Sequence, residues 1–233
     1  MSDVFSDAER EDLIARFRQL YSASVYDVLW KRGLTGQCMD TRIAPLDPSM
    51  VVAGPAFTIL GGPDPRGDDE YVEPEKMRDF AMLRVPEGHV VVVETSGEEI
   101  AGCWGELLST VAQQNGARGV VVDGGTRDAP LLRKMTDWPV FARYSTPVDS
   151  NGLWRWNDFD IPITVRGTRT ARIRVNPGDW IFGDEDGVLV IPRDIVMDVL
   201  IEAEEIKETE NLVRQELNDG ASFLDVYARF ERF

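Results

Sequence analysis

Histidine and cysteine are nearly missing from this chain: 233 residues hold a single histidine, His89, and two cysteines, Cys38 and Cys103. One histidine leaves little material for a His-rich metal centre or for a Ser-His-Asp triad within one chain. Because His89 opens an apolar β-branched run, a structural role suits it better than a catalytic one. Two cysteines exclude a disulfide framework and suit a reducing compartment. GxGxxG, GxxxxGK[ST] and GxSxG are all absent, which removes the usual dinucleotide, P-loop and serine-hydrolase readings. There is no run of Lys and Arg, and 41 acidic residues against 25 basic ones leave a net charge of −16. Nucleic acid is therefore not an expected partner. The longest charge-free stretch, Pro48 to Pro63, spans 16 residues and is broken by Gly54, Pro55, Gly61 and Gly62, too short and too interrupted to span a bilayer. The opening MSDVFSDAEREDL lacks the basic-then-apolar order of a signal peptide. The expected location is cytoplasmic, with no membrane partner.

What is present is the balance of a soluble globular protein, 43% hydrophobic and 28% charged, long enough for a sizeable core. Ser6 followed by Glu9 predicts a capping box and a helix through Leu20, with Leu13, Ile14, Phe17 and Leu20 on one face. Ser24 is the expected cap of a second short helix ending at Gly33. VVAGPAFTIL predicts a strand interrupted by Gly54 and Pro55, and GGPDPRGDDEYVEPE a polar loop. HVVVVE, RGVVVDGG and PVFAR alternate with the helical patterns GELLSTVAQQNG and RDAPLLRKM. That order predicts a parallel sheet with crossover helices. From Ile161, short strands joined by NPGD and GDEDG predict an antiparallel β-layer. A long amphipathic helix and a final short helix close the chain. The expectation is a single α/β domain over 1–233, with helical extensions at about 1–33 and 194–233.

Two segments carry candidate chemistry. Gly102-Cys103-Trp104-Gly105-Glu106-Leu107-Leu108 leads into the start of a helix, and Asp123-Gly124-Gly125-Thr126-Arg127-Asp128 ends a buried strand. Both belong at the same edge of a parallel sheet, where open α/β sheets bind ligands. The N–H groups of Leu107 and Leu108 at a helix start suit a small carboxylate. Arg127 offers an always-charged fork for a carboxylate or enolate oxygen, and Asp128 a hard oxygen ligand for a divalent cation. The bland alternative is that Arg127 and Asp128 merely pair with each other and that the glycines only make turns. Cys103 fits a small buried thiol better than a nucleophile. Asp184 and Asp186 in GDEDG fit a tight turn better than a metal site.

Glu106, twenty intervening residues, then Arg127-Asp128 resembles the acid-x20-R-D signature of the 4-hydroxy-4-methyl-2-oxoglutarate/4-carboxy-4-hydroxy-2-oxoadipate aldolases and the related RraA-like proteins. ARGVVVDGGTRD, PVFAR and PGDWIFGDEDGVLVIP extend the similarity from about Tyr21 to Ile206. The resemblance implies a compact α/β/β sandwich like a swivelling phosphohistidine domain, assembled as a trimer or dimer of trimers. It implies a divalent-metal (class II) lyase, using Mg²⁺, Mn²⁺ or Co²⁺, that cleaves a 4-hydroxy-2-oxo acid to pyruvate and a second 2-oxo acid and also decarboxylates oxaloacetate. In that reading Asp128 binds the metal directly and Glu106 holds it through water. Arg127 and Glu106 are catalytic, and Gly105, Leu107, Leu108 and Arg127 bind the pyruvyl half. The family also places a carboxylate of a neighbouring subunit's C-terminal helix at the site; Glu204 or Glu205 is the match, against a bland reading as a solvated helix face. Glu106 stands where many aldolase members have Asp, which puts substrate choice and rate in question.

The implied chemistry is cleavage of the C3–C4 bond to a pyruvate enolate, with the 4-hydroxyl proton taken by water relayed through Glu106. Trp104, Arg143, Trp154, Arg155 and Trp156 are candidates to line the far half of the substrate, and the basic ones hint at an additional carboxylate there. Alternatively Trp154 and Trp156 cover an interface. The rival reading is an RraA-like interaction protein that regulates a ribonuclease without catalysis. A methyl-donor fold is disfavoured, since DGGTRD lacks the Gly-rich turn and acidic ribose contact such a fold uses.

Overall fold

A computed structural model describes residues 5–64 and 85–230. The capping box forms: Glu9 accepts the Ser6 N–H at 2.9 Å and Ser6 Oγ accepts the Glu9 N–H at 3.4 Å, starting α1 (Asp7–Phe17). Helix α2 (Ser22–Lys31) begins earlier than a Ser24 cap requires. Ser24 sits inside the first turn, donating to Tyr21 O at 2.8 Å. The cap comes instead from Asp184, whose carboxylate accepts the N–H and the hydroxyl of Ser22, both at 2.7 Å. A cap supplied from 162 residues away leaves no local signal.

Among the described residues nine strands make one mixed sheet. Its parallel part runs β2 (Val52–Pro63), β3 (Val90–Glu94), β5 (Val120–Thr126), β6 (Val140–Ser145). A short β4 (Gly102–Trp104) pairs in parallel with the end of β5. Helix α3 (Glu106–Gln114) connects β4 to β5 and α4 (Ala129–Leu132) connects β5 to β6, the crossovers that parallel strands require. Gly54 and Pro55 do not interrupt β2, because Pro55 lies opposite Trp180 and the adjacent Ala56 N–H bonds Asp179 O at 2.7 Å. Of the polar loop expected from Gly61, the residues Gly61, Gly62 and Pro63 belong to β2; residues 65–84 lie outside the described residues.

The antiparallel C-terminal region is divided between two sheets. Strands β8 (Ile163–Arg166) and β9 (Arg172–Val175) form a separate hairpin, whereas β10 (Trp180–Asp184) and β11 (Gly187–Ile191) extend the main sheet from β2. Two further strands had no clear sequence pattern: β1 (Ala44–Pro45) along β6, and β7 (Trp154–Phe159) along the end of β2.

Alternation explains how the parallel strands are covered on both faces. Val91, Val93, Val120 and Val122 point into one core with Trp104, Trp138 and Trp154. Val90, Val92, Val121 and Phe141 point the other way, against Ile163, Val165, Ile173 and Val175 of the hairpin. A third core joins the two ends of the chain: Phe17 packs on Trp180 and Phe182 at centroid separations of 5.2 and 5.4 Å, beside Val28, Leu29 and Leu200. Leu200 belongs to α5 (Val196–Asn218), which is followed by α6 (Phe223–Phe230). Helices α1, α2 and α5 are thus structural walls of the fold. Arg16 clamps α1 to α5 by donating to both carboxylate oxygens of Glu204, at 2.8 and 2.6 Å.

Candidate active site

The two segments singled out in the sequence meet at the carboxyl ends of β4 and β5. Strand β5 breaks its ladder after Thr126, whose hydroxyl and the following Arg127 N–H both donate to Trp104 O at 2.8 Å. That fixes the end of β5 against the end of β4. Asp128 then takes a left-handed conformation, φ +62° and ψ 25°, and starts α4. Asp tolerates this region better than most residues, because its short polar side chain bonds locally.

Close approach dictates the glycines here. A Cβ on Gly105 would lie 2.8 Å from Asp128 Oδ2 and 3.1 Å from Arg127 Cγ. On Gly125 it would lie 2.3 Å from the Tyr144 ring and 2.4 Å from Ala101 O. Gly105 is also the N-cap of α3, with extended backbone and no side chain to cap the helix. The first bond of the helical ladder is Ser109 N–H to Gly105 O at 3.1 Å. The Leu107 and Leu108 amides precede that ladder and remain as donors at the helix start.

These groups border a cleft of about 340 Å³ lined by Gly105, Leu107, Leu108, Arg127 and Asp128 on one side and by Asp149, Asn151 and Trp156 on another. The segment bearing Asp149 is tied down by a parallel bridge to Gly102, whose N–H donates to Val148 O at 2.9 Å. Arg127 pairs with Asp149 by a short contact from Nη1, and its Nε lies 3.7 Å from Asp128 Oδ1. The bland expectation that Arg127 pairs only with its neighbour is therefore incomplete. Nothing in the sequence marked Asp149, because a bridge between distant segments places it. Trp104, which also borders the cleft, stacks on Trp156 at 6.1 Å and donates from its indole nitrogen to Ser109 Oγ at 2.7 Å.

Other candidate residues lie elsewhere. The Glu106 N–H donates to Asp128 Oδ2 at 3.3 Å, but its carboxylate accepts from Thr110 Oγ1 at 3.0 Å and so lies along α3. Glu204 holds Arg16, which keeps its carboxyl below the usual carboxylate range, and Glu205 is exposed on α5. Arg143 is absent from the cleft: its side chain is 5% exposed and lies 3.3 Å from Asp40 and 3.5 Å from Asp123. Asp123 in turn accepts the Arg166 N–H at 2.7 Å, while burial pushes its carboxyl upward against the pull of Arg166, Arg143 and Arg172. Cys103 does border the cleft but is only 3% exposed, and His89 is buried outside it.

Asp128 supplies the one property a hard cation needs from this chain, a carboxylate oxygen facing the cleft. Among the described residues no three His, Cys, Asp or Glu side chains cluster to hold a metal. A carboxylate is the kind of hard oxygen donor that Mg²⁺ takes. No helix among the described residues is long and apolar enough to cross a membrane.

Comparison with known proteins agrees with this architecture. DlpA of Legionella pneumophila is 30% identical over 91% of this chain, although the chain spans only 32% of that protein. A Halalkalibacterium halodurans protein named "Putative 4-hydroxy-4-methyl-2-oxoglutarate aldolase" is 29% identical over 93% of both chains. The crystal structure of Streptomyces coelicolor RraAS2, described as an unusual member of the RNase ES inhibitor RraA protein family, superposes with a TM-score of 0.74 at 26% identity, covering 88% of this chain and 98% of that one. The sequence pattern of the RraA-like family (Aldolase/RraA) matches residues 22–190, and with the sheet and cleft described above, the chain belongs to that family.

Proposed function

We propose that this protein is a divalent-metal-dependent lyase that cleaves a 4-hydroxy-2-oxo acid to pyruvate and a second 2-oxo acid, with oxaloacetate decarboxylation as a side activity. The observation that carries this reading is the convergence of Arg127, Asp128 and the Leu107 and Leu108 amides on one cleft. A fixed cation, a hard oxygen donor and two helix-start N–H groups are what a 2-oxo carboxylate needs. The aldolase name of the H. halodurans relative supports the reaction class.

In this mechanism the amides of Leu107 and Leu108 receive the substrate carboxylate. Arg127 turns part of its fork to the 2-oxo oxygen, where negative charge grows as the C3–C4 bond breaks. Asp128 would hold the metal directly and Glu106 through water; a bound divalent cation supplies Lewis-acid polarisation of the 2-oxo group. Glu106 takes up the 4-hydroxyl proton through a water, which requires its carboxylate to leave Thr110. Decarboxylation of oxaloacetate passes through the same pyruvate enolate. The functional unit is a trimer or a dimer of trimers, with Glu204 or Glu205 of a neighbouring copy reaching the cleft.

Pyruvate release by EDTA-stripped protein, with and without Mg²⁺ or Mn²⁺, tests the proposal on oxaloacetate and 4-hydroxy-4-methyl-2-oxoglutarate. Metal-dependent release is the expected result; its absence on both substrates would overturn the assignment. The similarity to S. coelicolor RraAS2 favours a second reading, a non-catalytic regulator of a ribonuclease. Capture of a stoichiometric RNA-processing partner by an inactive protein would decide for it.

A further inference from the structure

We infer that Thr126 is a positioning residue of the cleft: its hydroxyl, bonded to the Trp104 carbonyl, sets the spacing between the Leu107 and Leu108 amides on one side and Arg127 and Asp128 on the other. This rests on the lyase reading, which names the ligand that must touch both sides. The two halves of the site come from different segments, the amides from the junction of β4 with α3 and the charged pair from the junction of β5 with α4. The ladder is irregular at that place. Strand β4 meets β5 at Gly102–Gly125 and then at Trp104–Thr126, two steps on one strand against one on the other. On its other side β5 meets β6 at Val122–Ala142 and next at Gly125–Tyr144, three steps against two. Bulges of this kind re-aim side chains, and they leave the end of β5 without a regular ladder to hold it.

The Trp104 carbonyl takes over that task. Thr126 Oγ1 and the Arg127 N–H both donate to it at 2.8 Å. One bond would fix a point and leave a hinge; two bonds from successive residues fix a direction as well. The acceptor moves with α3, because Trp104 is fully buried and its indole nitrogen is bonded to Ser109 Oγ of that helix at 2.7 Å. Thr126 is fully buried too, and its β-branched side chain is stiff about χ1, so the hydroxyl acts as a strut. Without the hydroxyl the carbonyl would still accept the Arg127 N–H, so no buried acceptor is orphaned. The loss falls on alignment more than on stability.

The test uses Thr126→Val, which keeps the shape and removes the hydroxyl, and Thr126→Ser, which keeps the hydroxyl. Oxalate with Mg²⁺, a planar analogue of pyruvate enolate, probes both halves together and is followed by tryptophan fluorescence. Mn²⁺ without oxalate, followed by electron paramagnetic resonance, probes Asp128 alone. The valine variant is expected to raise the Kd for oxalate, and to lower kcat/KM on oxaloacetate, about ten-fold each. Its Mn²⁺ binding is expected to match the parent's, and its Tm to fall by no more than about 4 °C. The serine variant is expected to restore oxalate binding and turnover. Unchanged oxalate binding in the valine variant overturns the inference. So does a loss of Mn²⁺ binding and Tm in step with oxalate, the mark of a merely structural role. Should valine prevent folding, Thr126→Ser against Thr126→Ala isolates the hydroxyl with the same two probes. If the parent binds oxalate and releases no pyruvate, the lyase reading falls and the binding results alone decide on Thr126. A parent that binds no oxalate removes both.

Discussion

Arg127 and Asp149, 22 residues apart in the chain, form an ion pair at the cleft. The partner of the arginine is thus a carboxylate of the protein, in the place where the proposed mechanism puts a substrate oxygen. Both side chains are more than a third exposed, so the pair orients the guanidinium more than it stabilises the fold.

Two substitutions separate orientation from charge at this pair. Arg127→Lys is expected to lower kcat/KM for pyruvate release about 100-fold or more, because an ammonium cannot present two parallel donors. Asp149→Asn removes only the partner's charge, and the expected loss is about three- to ten-fold. Steady-state kinetics on oxaloacetate checks both. A larger loss in the Asp149 variant than in the Arg127 variant would reverse the roles assigned to them.

Asp128 has a positive φ, so alanine at this position would combine backbone strain with loss of the carboxylate. Asparagine tolerates the same conformation and isolates the chemistry. Asp128→Asn is expected to keep its melting temperature and lose metal-dependent turnover. Differential scanning calorimetry beside the pyruvate assay gives the answer, and near-normal activity would remove Asp128 from the metal site.

Gly105→Ala would place a methyl group 2.8 Å from Asp128 Oδ2 and 3.1 Å from Arg127 Cγ. Both are side-chain atoms and neither is backbone, so they can give way, and the expected stability loss is about 1 kcal/mol. Activity is expected to fall at least ten-fold, since both functional groups are displaced together. At Gly125 the obstacle includes the Ala101 carbonyl, 2.4 Å away, and Gly125→Ala is expected to cost about 3 kcal/mol. Urea unfolding of the two variants distinguishes a site glycine from a packing glycine.

Glu204 gives a prediction in pH. Its hydrogen bonds from Arg16 hold its carboxyl below the ordinary value of 4.5. A depressed carboxylate contributes stability above its unfolded-state pKa and loses it as pH falls through the folded one. Glu204→Gln is therefore expected to destabilise by about 1 kcal/mol at pH 7, since both partners are about one-third exposed. The difference from the parent protein should shrink as pH drops below 4.5. Thermal melts at pH 7 and pH 3.5 measure it; an equal deficit at both would mean that charge is not the cause.

The buried valine runs, Val90–Glu94 and Val120–Thr126, were legible because a run buried on both faces needs no partner to be recognised. Gly105, Arg127 and Asp128 were legible too, since strand-to-helix junctions announce themselves by composition. Asp149 and the Asp184 cap were not, because each acts on a segment far away in sequence. Arg143 misled for the same reason: only the fold shows that its charge is already held by Asp40 and Asp123. Strand β7 carries Trp, Arg, Asn and Asp with partial burial, a pattern set by pairing with the glycine-rich end of β2.

Strand β2 pairs with β3 in parallel and with both β10 and β7 antiparallel along its twelve residues. Every one of those partners arrives from a later and distant part of the chain, so the central strand gains its ladder only after long loops have closed. Folding is therefore expected to be slow and unitary. Neither the valine-rich parallel half nor the β10–β11 hairpin with its terminal helices has a complete hydrophobic surface until β2 joins them, and cutting the chain between Phe159 and Trp180 should leave two fragments that become native only when mixed.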